Sequence, residues 1–152
     1  CIQTDAASMM SRPKGTPYLH PVSCMPPLIA LEFPLEIFKE FQFEAAHHLP
    51  HVPDEHKCRR LHGHSFSVTL YVKGDVGEKS GWVMDFADIK TAFRPIYLQL
   101  DHYYLNEIPG LENPTSENLT RWIWQRLAPN LKGLSRIMIK ETCESGCIYE
   151  GD

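Results

Sequence analysis

The sequence predicts an α+β domain: a four-stranded antiparallel sheet with two helices on one face, in the order β-β-α-α-β-β. Three patterns carry this reading. Two early stretches alternate apolar and polar residues with period two. Two middle stretches repeat apolar residues at helical spacing behind capping residues. Two short alternating runs close the chain. A length of 152 residues suits one domain with a real hydrophobic core. A formal charge of −4 leaves no basic footprint for nucleic acid or a membrane surface. No apolar run approaches the roughly 20 residues a membrane helix needs.

Residues 1–34 hold six of the twelve prolines and show no periodicity, so they read as a flexible leader, tag or extension outside a domain of residues 35–152. In the first strand Ile37, Phe41, Phe43 and Ala45 share one face and Glu40, Gln42 and Glu44 the other, with Phe38 and Lys39 breaking the pattern. That register sends His47 to the apolar side and His48 away. A loop, His48 to Leu61, follows. The second strand is the clearest: His62, His64, Phe66, Val68, Leu70 and Val72 fall on one face, Ser65, Ser67, Thr69, Tyr71 and Lys73 on the other. Asp85 caps a helix whose buried stripe is Phe86, Ile89, Phe93, Ile96 and Leu100, kinked at Pro95. Thr115 or Ser116 caps a second helix with the stripe Leu119, Trp122, Ile123 and Leu127. Ile137, Ile139 and Glu141 share a face of the next strand, and Cys147-Ile148-Tyr149 returns beside it.

Seven of the eight histidines fall between His47 and His102. His62 and His64 lie on one strand face, about 7 Å apart at the backbone, a good span for two ligands of one zinc ion. His47 can meet them from the paired strand, and three histidines leave a fourth position open, the pattern of a catalytic zinc. Cys58, flanked by Lys57, Arg59 and Arg60, is a candidate base or nucleophile, since local positive charge favours a thiolate. Asp101-His102 reads either as a helix cap or as an orienting carboxylate with a general acid or base. Glu141, continuing an inward row, needs a partner: an internal ion pair, or the paired N–H donors of a pterin or guanine edge. The five cysteines are odd in number and show no disulfide spacing, which favours reduced thiols and a cytoplasmic protein. Cys143 and Cys147 read as turn packing.

Phe43-Glu44-Ala45-Ala46-His47, Cys58-x-x-x-His62-Gly63-His64, Asp85-Phe86, Leu100-Asp101-His102, Pro114-Thr115-Ser116-Glu117-Asn118 and Lys140-Glu141-Thr142 stand in this order. Together they resemble the 6-pyruvoyltetrahydropterin synthase family over residues 36–151, and within it the bacterial branch that makes 6-carboxy-5,6,7,8-tetrahydropterin. The three-residue gap between Cys58 and His62 matches that branch. The resemblance implies a tunnelling fold (T-fold), whose subunits join sheets into a barrel, commonly a hexamer of two trimers with sites between subunits. It implies 7,8-dihydroneopterin triphosphate as substrate, with acetaldehyde and triphosphate released on the route to queuosine and other 7-deazaguanines. By matching position, His47, His62 and His64 would bind Zn2+, Cys58 would be the base, and Asp101 and His102 would form a proton-relaying dyad. Glu141 would anchor the pterin, Thr115 and Ser116 would add ring contacts, and Lys57, Arg59 and Arg60 are candidates for the triphosphate. Two alternatives remain: a 6-pyruvoyltetrahydropterin synthase, and a non-catalytic zinc- and pterin-binding subunit.

Overall fold

The two alternating stretches form the longest strands of the structure, a computed structural model that describes residues 34–151. β1 (Leu35–His47) and β2 (His62–Gly74) pair antiparallel along their whole length, from Leu35 opposite Gly74 to His47 opposite His62. The pairing puts like with like. Phe43 faces Phe66 and their rings stack with centroids 5.0 Å apart, while Ile37 faces Val72. β4 (Leu134–Lys140) pairs antiparallel with β2 and sets Ile137 and Ile139 beside Leu70 and Val68; β5 (Gly146–Tyr149) closes that side.

Two helices cover the apolar face. α1 (Phe86–Leu100) buries Ile89, Phe93, Ile96 and Leu100, and Phe41 of β1 packs on Phe93 at 4.6 Å between ring centroids. α2 (Ser116–Leu127) buries Leu119, Thr120, Trp122, Ile123 and Leu127. Capping follows the side chains that the sequence offers. The Asp85 carboxylate accepts from the Ala87 N–H at 2.8 Å and the Thr115 hydroxyl from the Asn118 N–H at 3.2 Å, each satisfying a donor left free at a helix start. The fully buried side chains of both helices and three strands form one continuous core, each contributing about 1.5–3 kcal/mol by leaving water.

Three expectations need correction. The sheet has five strands and is mixed, in the order β3-β1-β2-β4-β5. The extra strand, β3 (Tyr103–Tyr104), is two residues long and runs parallel to β1 at Ala45 and Ala46. Phe86, the first residue of α1, is half exposed rather than part of the buried stripe. Phe38 and Lys39 do not break β1. Phe38 lies on the open face against Tyr71, and the Lys39 ammonium sits over the Phe41 and Phe86 rings. Pro95, read as a kink, stands inside α1 on its exposed side. The proline-rich segment lies, up to residue 33, outside the described residues.

Candidate active and metal centre

The end of β1 and the start of β2 bring three imidazoles together. His47 pairs with His62 and Ala45 with His64, so all three rings stand at one end of the apolar face. Their ring centroids are 4.5, 5.1 and 5.0 Å apart, and one candidate ligand nitrogen from each lies within 4.8 Å of the others. Two rings are oriented by backbone. His47 Nδ1 is 3.0 Å from the Pro114 carbonyl and His62 Nδ1 is 2.7 Å from the Arg60 carbonyl. A carbonyl only accepts, so each Nδ1 carries the proton and each Nε2 presents a lone pair. The Nε2 of His47 is buried without a hydrogen-bond partner. A buried acceptor left bare is costly unless something binds it, and a divalent cation held by three neutral nitrogens meets that need. The residues present therefore fit a metal ion.

Burial also pushes the His47 imidazole below its ordinary value, opposed by the Pro114 carbonyl and the Glu141 charge and reinforced by the other two rings. His64 is lowered for the same first reason, against Glu141 and with His62 and Lys57. Both therefore resist protonation, which keeps them available as ligands. The unfolded chain takes up these protons near pH 6.5 while the folded one does not. Stability from this source is thus full above pH 6.5 and is lost as the pH falls through the depressed folded values. The melting temperature of metal-free protein is expected to fall between pH 7.5 and 5.5. The drop should shrink in His47→Gln, whose amide does not titrate.

Gly63, between the two β2 histidines, lies against β1, where an added Cβ would stand 3.2 Å from the Ala45 carbonyl oxygen. That neighbour is backbone in a paired strand and yields little. Gly63→Ala is expected to spread the strands at His62 and His64 and to weaken metal binding about tenfold, roughly 1.4 kcal/mol. Titration with a competing chelator measures it.

Cys58 sits half-buried in a 3-10 turn, Lys57–Arg59, in the connection from β1 to β2. The turn is fastened back to the exit of β1. The Leu49 N–H donates to the Cys58 carbonyl at 2.8 Å, and the His56 Nδ1 accepts from the Cys58 N–H at 3.1 Å. Arg59 donates to the carbonyls of Pro50 and Val52 and pairs with Asp54 at 3.0 Å. Of the three cations considered for the triphosphate, Arg59 is thus engaged within the loop that carries Cys58.

Asp101 is the C-cap of α1, and His102 follows with φ of 60°, the left-handed region. Both are tied to one residue of β1. The Glu44 N–H donates to Asp101 Oδ1 at 3.1 Å, and the His102 N–H donates to the Glu44 carbonyl at 2.6 Å. His102 Nδ1 meets Asp101 Oδ2 at 3.0 Å. The Glu44 N–H, then His102 and Tyr97, hold the Asp101 carboxyl below the usual range. With Asp101 ionised, Nδ1 of His102 carries the proton and Nε2 is left free. Next to this dyad, an open groove of about 480 Å³ has His64 and His102 among its lining residues, together with Tyr104 of β3.

Glu141 is half-buried just past the end of β4, close enough that its charge is felt at His47 and His64. Thr115 uses its hydroxyl to cap α2, and the Ser116 carbonyl takes the Thr120 hydroxyl. Both follow Pro114, whose carbonyl orients His47. Sequence reading missed the backbone contacts of Pro114, Arg60 and Glu44 at the site, because no side-chain pattern announces a carbonyl or an N–H. It also missed the clasp at His48, where the Asn106 side chain bonds both the N–H and the carbonyl of His48 at 2.9 Å, and His48 Nδ1 meets the Tyr104 hydroxyl. A paired carboxamide such as Asn106 leaves no sequence signal.

Residues 36–152 match the family model for 6-pyruvoyl tetrahydropterin synthase. The chain belongs to this family. A 6-carboxy-5,6,7,8-tetrahydropterin synthase of Synechocystis is 49% identical over 119 residues, covering 74% of this chain and 91% of the relative. A dihydroneopterin monophosphate aldolase of Pyrococcus furiosus is 36% identical over 111 residues, covering 71% and 94%. The solved 6-pyruvoyl tetrahydropterin synthase of Caenorhabditis elegans superposes with a TM-score of 0.73 at 24% identity, covering 78% of this chain and 96% of that one. The expected tunnelling fold is therefore the fold of this chain. The family's named members span two synthases and an aldolase, so membership alone leaves the reaction to be argued from the site. Among the described residues, no helix is long and apolar enough to cross a membrane.

Proposed function

We propose that this protein is a zinc-dependent lyase that converts 7,8-dihydroneopterin triphosphate to 6-carboxy-5,6,7,8-tetrahydropterin, releasing acetaldehyde and triphosphate. The observation that carries the reading is the 49% identity to the Synechocystis 6-carboxy-5,6,7,8-tetrahydropterin synthase. The spacing from Cys58 to His62 and the three converging imidazoles support it. The product belongs to queuosine and 7-deazaguanine synthesis, a cytoplasmic route.

His47, His62 and His64 would hold the zinc ion. When bound, it supplies a Lewis acid that polarises the oxygens of the substrate's side chain and acidifies the adjacent C–H. Cys58, placed by its pinned turn, takes the proton from that carbon. His102, with Nδ1 held by Asp101, offers Nε2 as the second proton carrier. Glu141 accepts paired N–H donors from the pterin edge, and Thr115 and Ser116 border the ring. Lys57 and Arg60, exposed beside Cys58, receive the triphosphate. We place the working site between subunits of a homo-oligomer, a hexamer of two trimers. In support, β1 from Leu35 to Phe43 has no strand on its β3 side among the described residues, leaving an edge that another copy could pair with.

The test is product analysis with purified zinc-loaded protein and 7,8-dihydroneopterin triphosphate. Acetaldehyde equimolar with triphosphate is expected. Triphosphate without any aldehyde would make the protein a 6-pyruvoyltetrahydropterin synthase, a different aldehyde would make it an aldolase, and pterin binding with no product would make it a binding subunit.

A further inference from the structure

Strand β3 leaves β1 at Tyr104, opposite Ala46, and the chain enters a short 3-10 turn, Leu105–Glu107. The ladder continues through a side chain. Asn106 is two residues past Tyr104 and His48 is two past Ala46, so Asn106 falls at the next position of the parallel register. Its Oδ1 accepts the His48 N–H at 2.9 Å, and its Nδ2 donates to the His48 carbonyl at 2.9 Å. The same Nδ2 donates to the Glu112 carbonyl at 3.2 Å, two residues before Pro114, whose carbonyl orients His47. These partners fix which way the amide points, because an N–H only donates and a carbonyl only accepts. The turn that presents Asn106 is anchored by Leu105, which is fully buried, and closed by the Ile108 N–H on the Leu105 carbonyl at 3.0 Å.

The two bonds to His48 grip two different peptide planes. A peptide unit is rigid, so holding one end of it orients the other. The His48 N–H belongs to the unit that begins at His47, one of the three converging imidazoles. The His48 carbonyl belongs to the unit that ends in the Leu49 N–H, and that N–H donates to the Cys58 carbonyl at 2.8 Å. One carboxamide therefore reaches a metal ligand on one side and the turn of Cys58 on the other. A hydrogen bond at one end of a peptide also polarises it, so the bond that Asn106 gives strengthens the one that Leu49 gives to Cys58.

We propose that Asn106 is a positioning residue that sets Cys58 relative to the three-histidine centre. It acts through the two peptide planes flanking His48 and not on a reacting atom. This rests on the metal and base roles proposed above and adds the residue that ties them into one frame.

Asn106→Ala removes both bonds. Zinc affinity, titrated against a competing chelator, is expected to fall about tenfold, the lower end for losing a group that orients a ligand. Alkylation of Cys58 by iodoacetamide in metal-free protein, followed by peptide mass spectrometry, should speed up about fivefold, the scale of one local hydrogen bond lost. Cys143 and Cys147, in the β4–β5 hairpin, are internal controls and should keep their native rates. Asn106→Asp keeps an acceptor for the His48 N–H and loses the donor to the His48 carbonyl. It should therefore speed Cys58 alkylation while zinc affinity stays near native. At saturating zinc, both variants should lower kcat with 7,8-dihydroneopterin triphosphate about tenfold and leave KM little changed, because the base is misplaced. The chelator and alkylation readouts need no substrate, so they separate a wrong role for Asn106 from a wrong reaction. A native zinc affinity or a native Cys58 rate in folded Asn106→Ala would overturn the proposal, as would a rise shared by all three thiols. If Asn106→Ala does not fold, the Cys58 rate in Asn106→Asp decides, and an unchanged rate there overturns it.

Discussion

Cys58→Ala is expected to lower turnover by about three orders of magnitude while zinc content stays at the native level. The size follows from the role: a positioned base contributes typically 10²–10⁴-fold, and alanine leaves no group to replace it. The retained zinc follows from the structure, since the three imidazoles converge without any sulfur among them. The fold should also survive. Cys58 is only half-buried, and its turn is held by its backbone and by Arg59 rather than by the thiol. Metal analysis and kinetics on one preparation therefore discriminate sharply. Zinc lost with turnover would make Cys58 a ligand, and turnover retained would remove it from the mechanism. Arg59→Ala makes a useful companion, because it should slow the reaction by loosening the turn without touching either the thiol or the metal.

The second large effect is expected on removing the metal. His62→Ala should reduce zinc content to background and turnover below detection, whereas chelated native protein should recover on adding zinc. His62 is the better choice for this test than His47. His47 is 1% exposed, so its truncation also opens a cavity beside Phe66, whereas His62 is half-buried at the mouth of the cluster. Metal binding only to the folded state should stabilise it, by roughly 2.7 kcal/mol at about 100 times Kd. The melting temperature should fall by several degrees with chelator and not at all in His62→Ala, which has no metal to lose.

Much of this site could be read from side-chain order, and the limit of that reading has a physical shape. Alternation placed Phe43, Ala45, His47, His62, His64 and Phe66 on one face because a strand repeats every two residues and one face must leave water. Capping preference recovered Asp85 and narrowed the start of α2 to Thr115 or Ser116, of which Thr115 is the cap. What escaped was set by contacts between elements. β3 is too short to show any period, and its place beside Ala45 and Ala46 depends on the tether between Glu44 and the Asp101–His102 corner. Phe86 looked like the first member of the α1 stripe, but a residue at a helix start need not overlie the sheet. The orientation of His47 and His62 rests on two carbonyls, and every residue carries a carbonyl. Spacing thus exposed the imidazoles but not the tautomers that fit His47 and His62 to hold a metal ion.

The left-handed backbone at His102 links this site to the margin by which the protein stays folded. A side chain with a β-carbon held there costs about 1–2 kcal/mol relative to glycine. Glycine at this position should therefore give a more heat-resistant and inactive protein, since the conformational relief comes with loss of the imidazole. Selection for robustness alone would discard the histidine, so on the proton-carrying role proposed for His102 this angle is a place where durability is traded for chemistry.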